Sequence, residues 1–167
     1  CLIHATHLSE AEVPRLAASG AVAGLCPVTE ANLGDGIFPA PQYLAAGGAI
    51  GIGTDSNVAI DAAQELRTLE YAQRLATRSR NVLAAEGQST GATLYRRALA
   101  GGAQALGVAP PRIAQGDPAD LVSFARGLPG LASGGMLLDS WIFAGRNDHV
   151  DSVWCAGRQV VAEGRHL

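Results

Sequence analysis

Three segments of the sequence place polar side chains directly after short apolar runs. His4 and His7 follow the first apolar run of the chain, the polar stretch 28–36 follows the second, and Asp55 follows the third. Imidazole and carboxylate groups can bind a metal ion or transfer a proton, and a rigid strand end holds such a group in place. These segments are therefore the candidates for a chemical site.

Each segment taken alone also has a structural interpretation. A single histidine after an apolar run is more often a packing residue than a ligand. The stretch 28–36 is dense in turn-forming residues and fits a solvated loop. Asp55 fits equally well as a helix cap or as a partner of the next turn. Only the combination of the three segments favours a site.

The first half of the chain predicts alternating strands and helices. Ser9 and Glu12 have the spacing of a capping box. The short apolar runs bounded by Gly or Pro fit strands that are buried on both faces. The predicted order is a helix over 9–19, a strand over 21–26, a polar loop over 28–38, a helix over 41–46 and a strand over 49–53. This alternation is typical of a parallel α/β sheet.

The second half of the sequence predicts two long helices, followed by a region of short strands. A helix over 61–80 has Asp61 as its cap, and a helix over 90–106 has Gly107 at its C-cap. Short apolar pieces at 119–124, 150–155 and 158–162 follow, and Ala156-Gly157 suits a hairpin turn. We expect two domains, at 1–109 and 110–167.

Composition narrows the class of partner. The chain has 167 residues, a net charge of -3, 48% hydrophobic residues and no lysine, and its basic residues are scattered, which disfavours nucleic acid. Three cysteines at wide spacing fit a reducing, cytoplasmic setting better than a disulfide framework. The apolar runs are too short for a membrane span. We expect a small-molecule substrate and no membrane partner.

The sequence opens directly on an apolar stretch. We therefore expect that it begins within a strand.

Segments 4–8 (HATHL), 26–36 (CPVTEANLGDG) and 53–56 (GTDS) together resemble strands six, seven and eight of the amidohydrolase superfamily. The resemblance is to the branch that holds the guanine, cytosine and adenosylhomocysteine deaminases. It implies an α/β fold: the C-terminal portion of a TIM-type (β/α)8 barrel, followed by part of a small β-sandwich. Stretches 24–36, 65–71 and 94–103 are similar, within that branch, to deiminases that hydrolyse N-formimino-L-glutamate in histidine breakdown.

The resemblance also implies roles for two residues. Asp55 corresponds to the aspartate after strand eight, which is a metal ligand and accepts a proton from the hydrolytic water. His4 corresponds to the strand-six histidine that hydrogen-bonds this water or the tetrahedral intermediate, whereas His7 corresponds to a supporting or packing position. The implied cofactor is one divalent metal, zinc by preference.

The resemblance implies as well that most of the site lies elsewhere. Related enzymes take a His-x-His pair from strand one, and a histidine and a nearby glutamate from strand five, and this sequence contains none of these motifs. We therefore expect the isolated fragment to be inactive and assign no substrate-binding residue. A homodimer is possible. Two alternatives stay open: a related hydrolase acting on a purine, pyrimidine or triazine, and an inactive half-barrel that serves as an interaction subunit.

Overall fold

The computed structural model describes residues 1–125, 127–128 and 136–167. Within these residues, a parallel sheet has three strands in the order β1 (Leu2–Ile3), β2 (Val22–Leu25) and β3 (Ala49–Ile52). Leu2 lies opposite Ala23, and Val22 lies opposite Ala49. The strands predicted at 21–26 and 49–53 are confirmed to within a residue or two.

Short helices connect the parallel strands: α1 (Glu12–Ala18), α2 (Pro27–Leu33) and α3 (Ala40–Ala45). The predicted polar loop over 28–38 is wrong in its first half, where α2 begins directly after β2. Pro27 occupies the first turn of α2, where its missing N–H has no helical partner to lose, and Gly34 ends the helix with a left-handed φ of 70°.

The predicted capping box at Ser9 is only partly right. Glu12 does reach back, and its Oε2 accepts the backbone N–H of Ser9 at 2.9 Å. The Ser9 hydroxyl, however, donates to the same carboxylate at 2.6 Å and caps no backbone N–H. Helix α1 therefore begins at Glu12, three residues later than predicted.

Two longer helices follow β3: α4 (Ala62–Thr77) and α5 (Thr90–Leu106). The predicted caps are confirmed: the Asp61 carboxylate accepts backbone N–H groups of the first turn of α4, and Gly107 ends α5 with a left-handed φ of 70°. The Ser89 hydroxyl caps the N-terminus of α5 and was not predicted. Helix α5 has the predicted bounds. Helix α4 ends three residues early, since Arg78 takes a left-handed φ of 55°.

Helix α5 packs directly on β3 at backbone distance. A Cβ atom added to Gly101 would lie 2.0 Å from the carbonyl oxygen of Ile50, so only glycine permits this approach. The side chains around this contact form one apolar core. Its fully or nearly fully buried members include Ala23, Leu25, Phe38, Tyr43, Ile50, Leu66, Leu69 and Leu94.

An antiparallel sheet forms the end of the chain. Within the described residues it has the order β4 (Leu121–Phe124), β5 (Val150–Cys155), β6 (Arg158–Ala162) and β7 (Arg165–His166). Ala156 and Gly157 both have positive φ and join β5 to β6, which confirms the predicted hairpin. No helix in the described part of the chain is long and apolar enough to cross a bilayer.

Helix α6 (Leu137–Ala144) precedes β5 and was not predicted. It packs against α4 and α5, with Trp141 and Ile142 buried. The Arg67 guanidinium on α4 donates to the carbonyl oxygens of Ile142 (2.6 Å) and Gly145 (2.7 Å), which satisfies the C-terminal end of α6. Residues of the second predicted domain therefore contact helices of the first.

Glu70 is a fully buried acid on α4. Its carboxylate accepts the backbone N–H groups of Val82 (2.9 Å) and Leu83 (3.0 Å) and the guanidinium of Arg74 (2.6 Å). A buried carboxylate that receives three donors ties the segment after α4 to the helix.

We expect Glu70→Gln to lower the free energy of unfolding by about 2–3 kcal/mol, because the amide replaces a charged acceptor and turns an N–H group toward other donors. Denaturant unfolding measures the change. Glu86→Gln is the matched control at an exposed position and should change stability by less than about 0.5 kcal/mol. Equal stability of the two variants would contradict the role given to Glu70.

Candidate functional site

The carboxyl ends of the parallel strands lie along one edge of the sheet, and both residues singled out from the sequence are there. His4 directly follows β1, and Asp55 lies three residues beyond β3. Main-chain hydrogen bonds continue the sheet into these segments: the His4 N–H donates to Gly24 (2.8 Å), and the Gly53 N–H donates to Leu25 (2.9 Å). The strand ends, where active sites of parallel α/β proteins lie, thus carry an imidazole and a carboxylate.

The backbone is left-handed at both positions. The φ angles are 65° at His4, 52° at Ala5 and 49° at Asp55, values that cost a non-glycine residue about 1–2 kcal/mol each. The neighbouring hydrogen bonds, including Ala5 N–H to Ile3 at 2.9 Å, hold this conformation. Such strain is concentrated at functional segments, where it directs a side chain.

The imidazole of His4 contacts a buried acid. Its Nδ1 lies 3.2 Å from Oε1 of Glu30 on α2, and the side chains are 32% and 6% exposed, respectively. The same oxygen accepts the backbone N–H of Cys26 at 2.8 Å. The ring is therefore held from its buried side by a carboxylate that is itself fixed.

Hydrogen bonds also fix the segment around Asp55. The carbonyl oxygen of Thr54 accepts the hydroxyl of Thr29 (2.8 Å) and the side-chain amide of Asn57 (2.6 Å). The Asp55 carboxylate is exposed, and the Ser56 hydroxyl lies 3.2 Å from its Oδ2. The backbone of this turn is rigidly tied while the carboxylate itself remains accessible.

Glu65 on α4 links helix α2 to the turn that contains Asp55. The side chain is fully buried, and its oxygens accept the backbone N–H of Val28 (2.8 Å) and the amide of Asn57 (2.9 Å). Burial raises the pKa of Glu65 above its ordinary value, the charges of Glu30 and Asp61 act in the same direction, and the two hydrogen bonds act against them. Helix α2, helix α4 and the turn after β3 thus meet at one acid.

Sequence reasoning did not identify Glu30 or Glu65 as parts of this arrangement. For Glu65 a signal was present, because it lies four residues before Leu69 and next to Leu66 on the buried face of α4. For Glu30 the signal was only the density of polar groups in its segment, since its contact with His4 spans 26 residues of sequence.

The remaining histidines lie outside this edge. His7 is exposed in the turn after His4. His149 lies 3.0 Å from Asp148 just before β5, and His166 lies on β7. Both belong to the antiparallel end of the chain.

The described residues at this sheet edge do not by themselves provide a full set of metal ligands. In the described ranges, no three His, Cys, Asp or Glu side chains come together as a ligand set. Asp55 has the chemistry of a single ligand: an exposed carboxylate on a tied backbone at the strand end. It fits a metal ion as one ligand of several.

Cys26 directly follows β2, the middle strand, at the carboxyl edge of the parallel sheet. Burial raises the pKa of its thiol to about 11, the carboxylates of Glu30, Asp55 and Glu65 add to the increase, and the N–H of Gly53 opposes it. Its sulfur behaves as a protonated, inert group at neutral pH.

We expect iodoacetamide to alkylate Cys26 at neutral pH at least about a hundredfold more slowly than a thiol of ordinary pKa, because the thiolate is the reactive form. Peptide mass spectrometry measures the modification. Cys155 is exposed and serves as the internal control, and Cys26 should react once the protein is denatured. Equal labelling of Cys26 and Cys155 in the folded protein would refute the expectation.

Two known proteins are similar to this chain over nearly its whole length. The chain is 56% identical over 169 aligned residues to formimidoylglutamate deiminase of Pseudomonas aeruginosa, covering 99% of this chain and 37% of that protein. It is 31% identical to a 5-methylthioadenosine/S-adenosylhomocysteine deaminase of Natronomonas pharaonis, covering 99% of this chain and 38% of that protein. The chain thus spans less than two fifths of these relatives.

Solved structures give the same result. A crystal structure of an amidohydrolase from Brucella melitensis superposes with a TM-score of 0.92 at 54% identity, covering 99% of this chain and 37% of that one. An adenosine deaminase from Xanthomonas campestris with bound zinc superposes with a TM-score of 0.82 at 30% identity, covering 99% and 37%. The model of the amidohydrolase family matches residues 1–160. The chain belongs to the amidohydrolase family.

Proposed function

We propose that this chain is the C-terminal part of a metal-dependent deiminase that hydrolyses N-formimino-L-glutamate to N-formyl-L-glutamate and ammonia, a step of histidine breakdown. The observation that carries the proposal is the 56% identity, over 99% of the chain, to the Pseudomonas formimidoylglutamate deiminase. Relatives named as adenosine-type deaminases reach only 28–33% among those compared. The identity therefore favours the formimino substrate over a purine.

In this proposal β1, β2 and β3 are strands six, seven and eight of the barrel, and residues 110–167 return to a small β-sandwich. The parallel order of the three strands supports this placement. The carboxyl edge then faces the barrel mouth, where the substrate binds. The other strands, and with them most of the site, belong to the longer protein.

Asp55 is the proposed proton acceptor. Its carboxylate is exposed at the end of β3, while Thr29 and Asn57 hold the carbonyl oxygen of the preceding residue. A carboxylate held in this way can take a proton from the water that adds to the formimino carbon. The added oxygen remains in the formyl product.

His4 is the proposed hydrogen-bonding partner of the tetrahedral intermediate. Its ring is held at Nδ1 by Glu30 and is one third exposed. That exposure lets a ring nitrogen accept a hydrogen bond or a proton from the reacting hydroxyl group, and the protonated ring can then donate to the same oxygen. The nitrogen that leaves must gain a proton to depart as ammonia, and the donor is a group outside this chain.

Asp55 would hold the divalent metal, zinc by preference, as one carboxylate ligand, and the remaining ligands would come from the part of the protein outside this chain. When bound, such a metal supplies Lewis acidity that lowers the pKa of water toward neutrality. By itself a single carboxylate does not make a tight site, because catalytic zinc sites use about three protein ligands.

We expect Asp55→Asn in the complete protein to reduce ammonia release from N-formimino-L-glutamate by at least about 10²-fold, since a proton acceptor and a metal ligand are lost together. Ammonia is measured by a coupled assay. Asp148→Asn is the matched control, because the same chemical change is made at an exposed position beside the antiparallel sheet.

Two results would overturn the proposal. Normal turnover by Asp55→Asn would remove the role of Asp55. Ammonia release by the wild-type protein from S-adenosylhomocysteine or guanine, but not from N-formimino-L-glutamate, would favour the alternative substrate class.

A further inference from the structure

We propose that Glu30 is the positioning residue for His4: its buried carboxylate accepts a hydrogen bond from Nδ1–H of the imidazole and thereby leaves Nε2 as the unprotonated, reactive nitrogen of the neutral ring. The inference rests on the proposed function, in which His4 hydrogen-bonds the reacting oxygen through its other ring nitrogen. It concerns a contact between two segments 26 residues apart in the sequence.

The imidazole is the donor in this contact, because the carboxylate of Glu30 acts as an acceptor. Oε1 of Glu30 lies 2.8 Å from the backbone nitrogen of Cys26, and a backbone N–H can only donate. The same oxygen lies 3.2 Å from Nδ1 of His4. An ionised carboxylate has no proton to donate, so the imidazole supplies the proton in the second bond. The neutral ring is then protonated at Nδ1.

The position of Glu30 is determined by its helix. Glu30 lies in the first turn of α2, and its side chain folds back to the residue that precedes the helix. Its side chain is only 6% exposed, whereas that of His4 is 32% exposed. The carboxylate therefore approaches the ring from the protein interior, and water competes little for the bond.

Backbone and side chain thus fix His4 independently. The left-handed φ angles of His4 and Ala5 set the direction in which the side chain leaves the strand end. The bond to Glu30 sets the rotation of the ring and its tautomer. When Nε2 accepts a proton or a strong hydrogen bond, positive charge develops on the imidazole, and the adjacent carboxylate stabilises it. A carboxylate that orients a histidine in this way acts through the histidine and does not touch the substrate.

Two substitutions separate the hydrogen bond from the charge. Glu30→Leu removes both. Glu30→Gln keeps an amide oxygen that can accept the same two N–H groups but removes the negative charge. We expect Glu30→Leu to lower kcat by about 10²-fold with little change in KM, and Glu30→Gln to recover only part of that loss, because it keeps the hydrogen bond but not the charge.

The decisive readout is the tautomer of His4 in the complete protein. Histidine labelled with ¹⁵N, in alkaline buffer where imidazole is neutral, gives distinct nitrogen shifts for the two tautomers, and the signal of His4 is assigned by its loss in His4→Asn. We expect an Nδ1–H ring in the wild type and in Glu30→Gln, and a shift toward Nε2–H in Glu30→Leu. Glu70→Gln is the control for loss of a buried acid, and it should leave both the tautomer and kcat unchanged.

An Nε2–H ring in the wild type would overturn the proposal, even if Glu30→Leu failed to fold. So would an unchanged tautomer in a folded Glu30→Leu variant, or a rise in KM with kcat unaltered. The tautomer measurement uses no substrate, so it still decides the proposal if the wild-type protein releases no ammonia from N-formimino-L-glutamate. That result would contradict the proposed function alone.

Discussion

The parallel pairing of β1, β2 and β3 is the constraint on which the arrangement of the site depends. Parallel strands bring their carboxyl ends to one edge, and the observed register sets how far each strand extends there. The close backbone approach of Gly101 to Ile50 presses α5 onto β3 and leaves little freedom for the sheet to slide. Two segments some fifty residues apart in the sequence therefore reach the same surface.

Buried carboxylates fix this edge, and they do so at a cost in stability. Glu30 and Glu65 each take hydrogen bonds from a backbone N–H in or beside α2 and from a side chain of another segment. Burial raises the pKa of Glu65, which shows that the charged form is disfavoured there. Apolar side chains at these positions would avoid the desolvation cost of a buried charge, but they would not direct imidazole and carboxylate groups toward a substrate. Strain and buried charge at one edge are what an amidohydrolase barrel mouth would need.

Local chemistry explains which elements could be predicted from the sequence. Helix α5 was predicted to the residue because Gly107 marks its C-terminal end, and the unpredicted cap at Ser89 agrees with its start. The strands were predicted because Gly and Pro bound short apolar runs. Helix α2 was mistaken for a loop because its polar residues and Gly34 look like turn chemistry, although Pro27 and Gly34 also suit the two ends of a helix. Helix α6 has no side-chain cap, and Arg67, from a distant helix, satisfies its C-terminal carbonyl groups.

The candidate site also contains residues that could be predicted from the sequence and residues that could not. His4 and Asp55 could be selected from the sequence because each follows an apolar run and matches a family motif. Their supporting residues could not, since the bonds of Glu30 to His4 and of Glu65 to Val28 depend on how α2 and α4 pack. Tertiary contacts of this kind leave no periodic signal. The proposed metal-binding role of Asp55 rests on the family resemblance and on the accessible carboxylate together.

Anomalous diffraction from crystals of the complete protein, recorded above and below the zinc absorption energy, would test the central claim most directly. That claim is that the carboxyl edge of the parallel sheet is a metal-dependent active site. We predict an anomalous peak about 2.0–2.2 Å from the carboxylate of Asp55, with Nδ1 of His4 hydrogen-bonded to Glu30. A peak whose ligands exclude Asp55, with His4 turned away from it, would contradict the account.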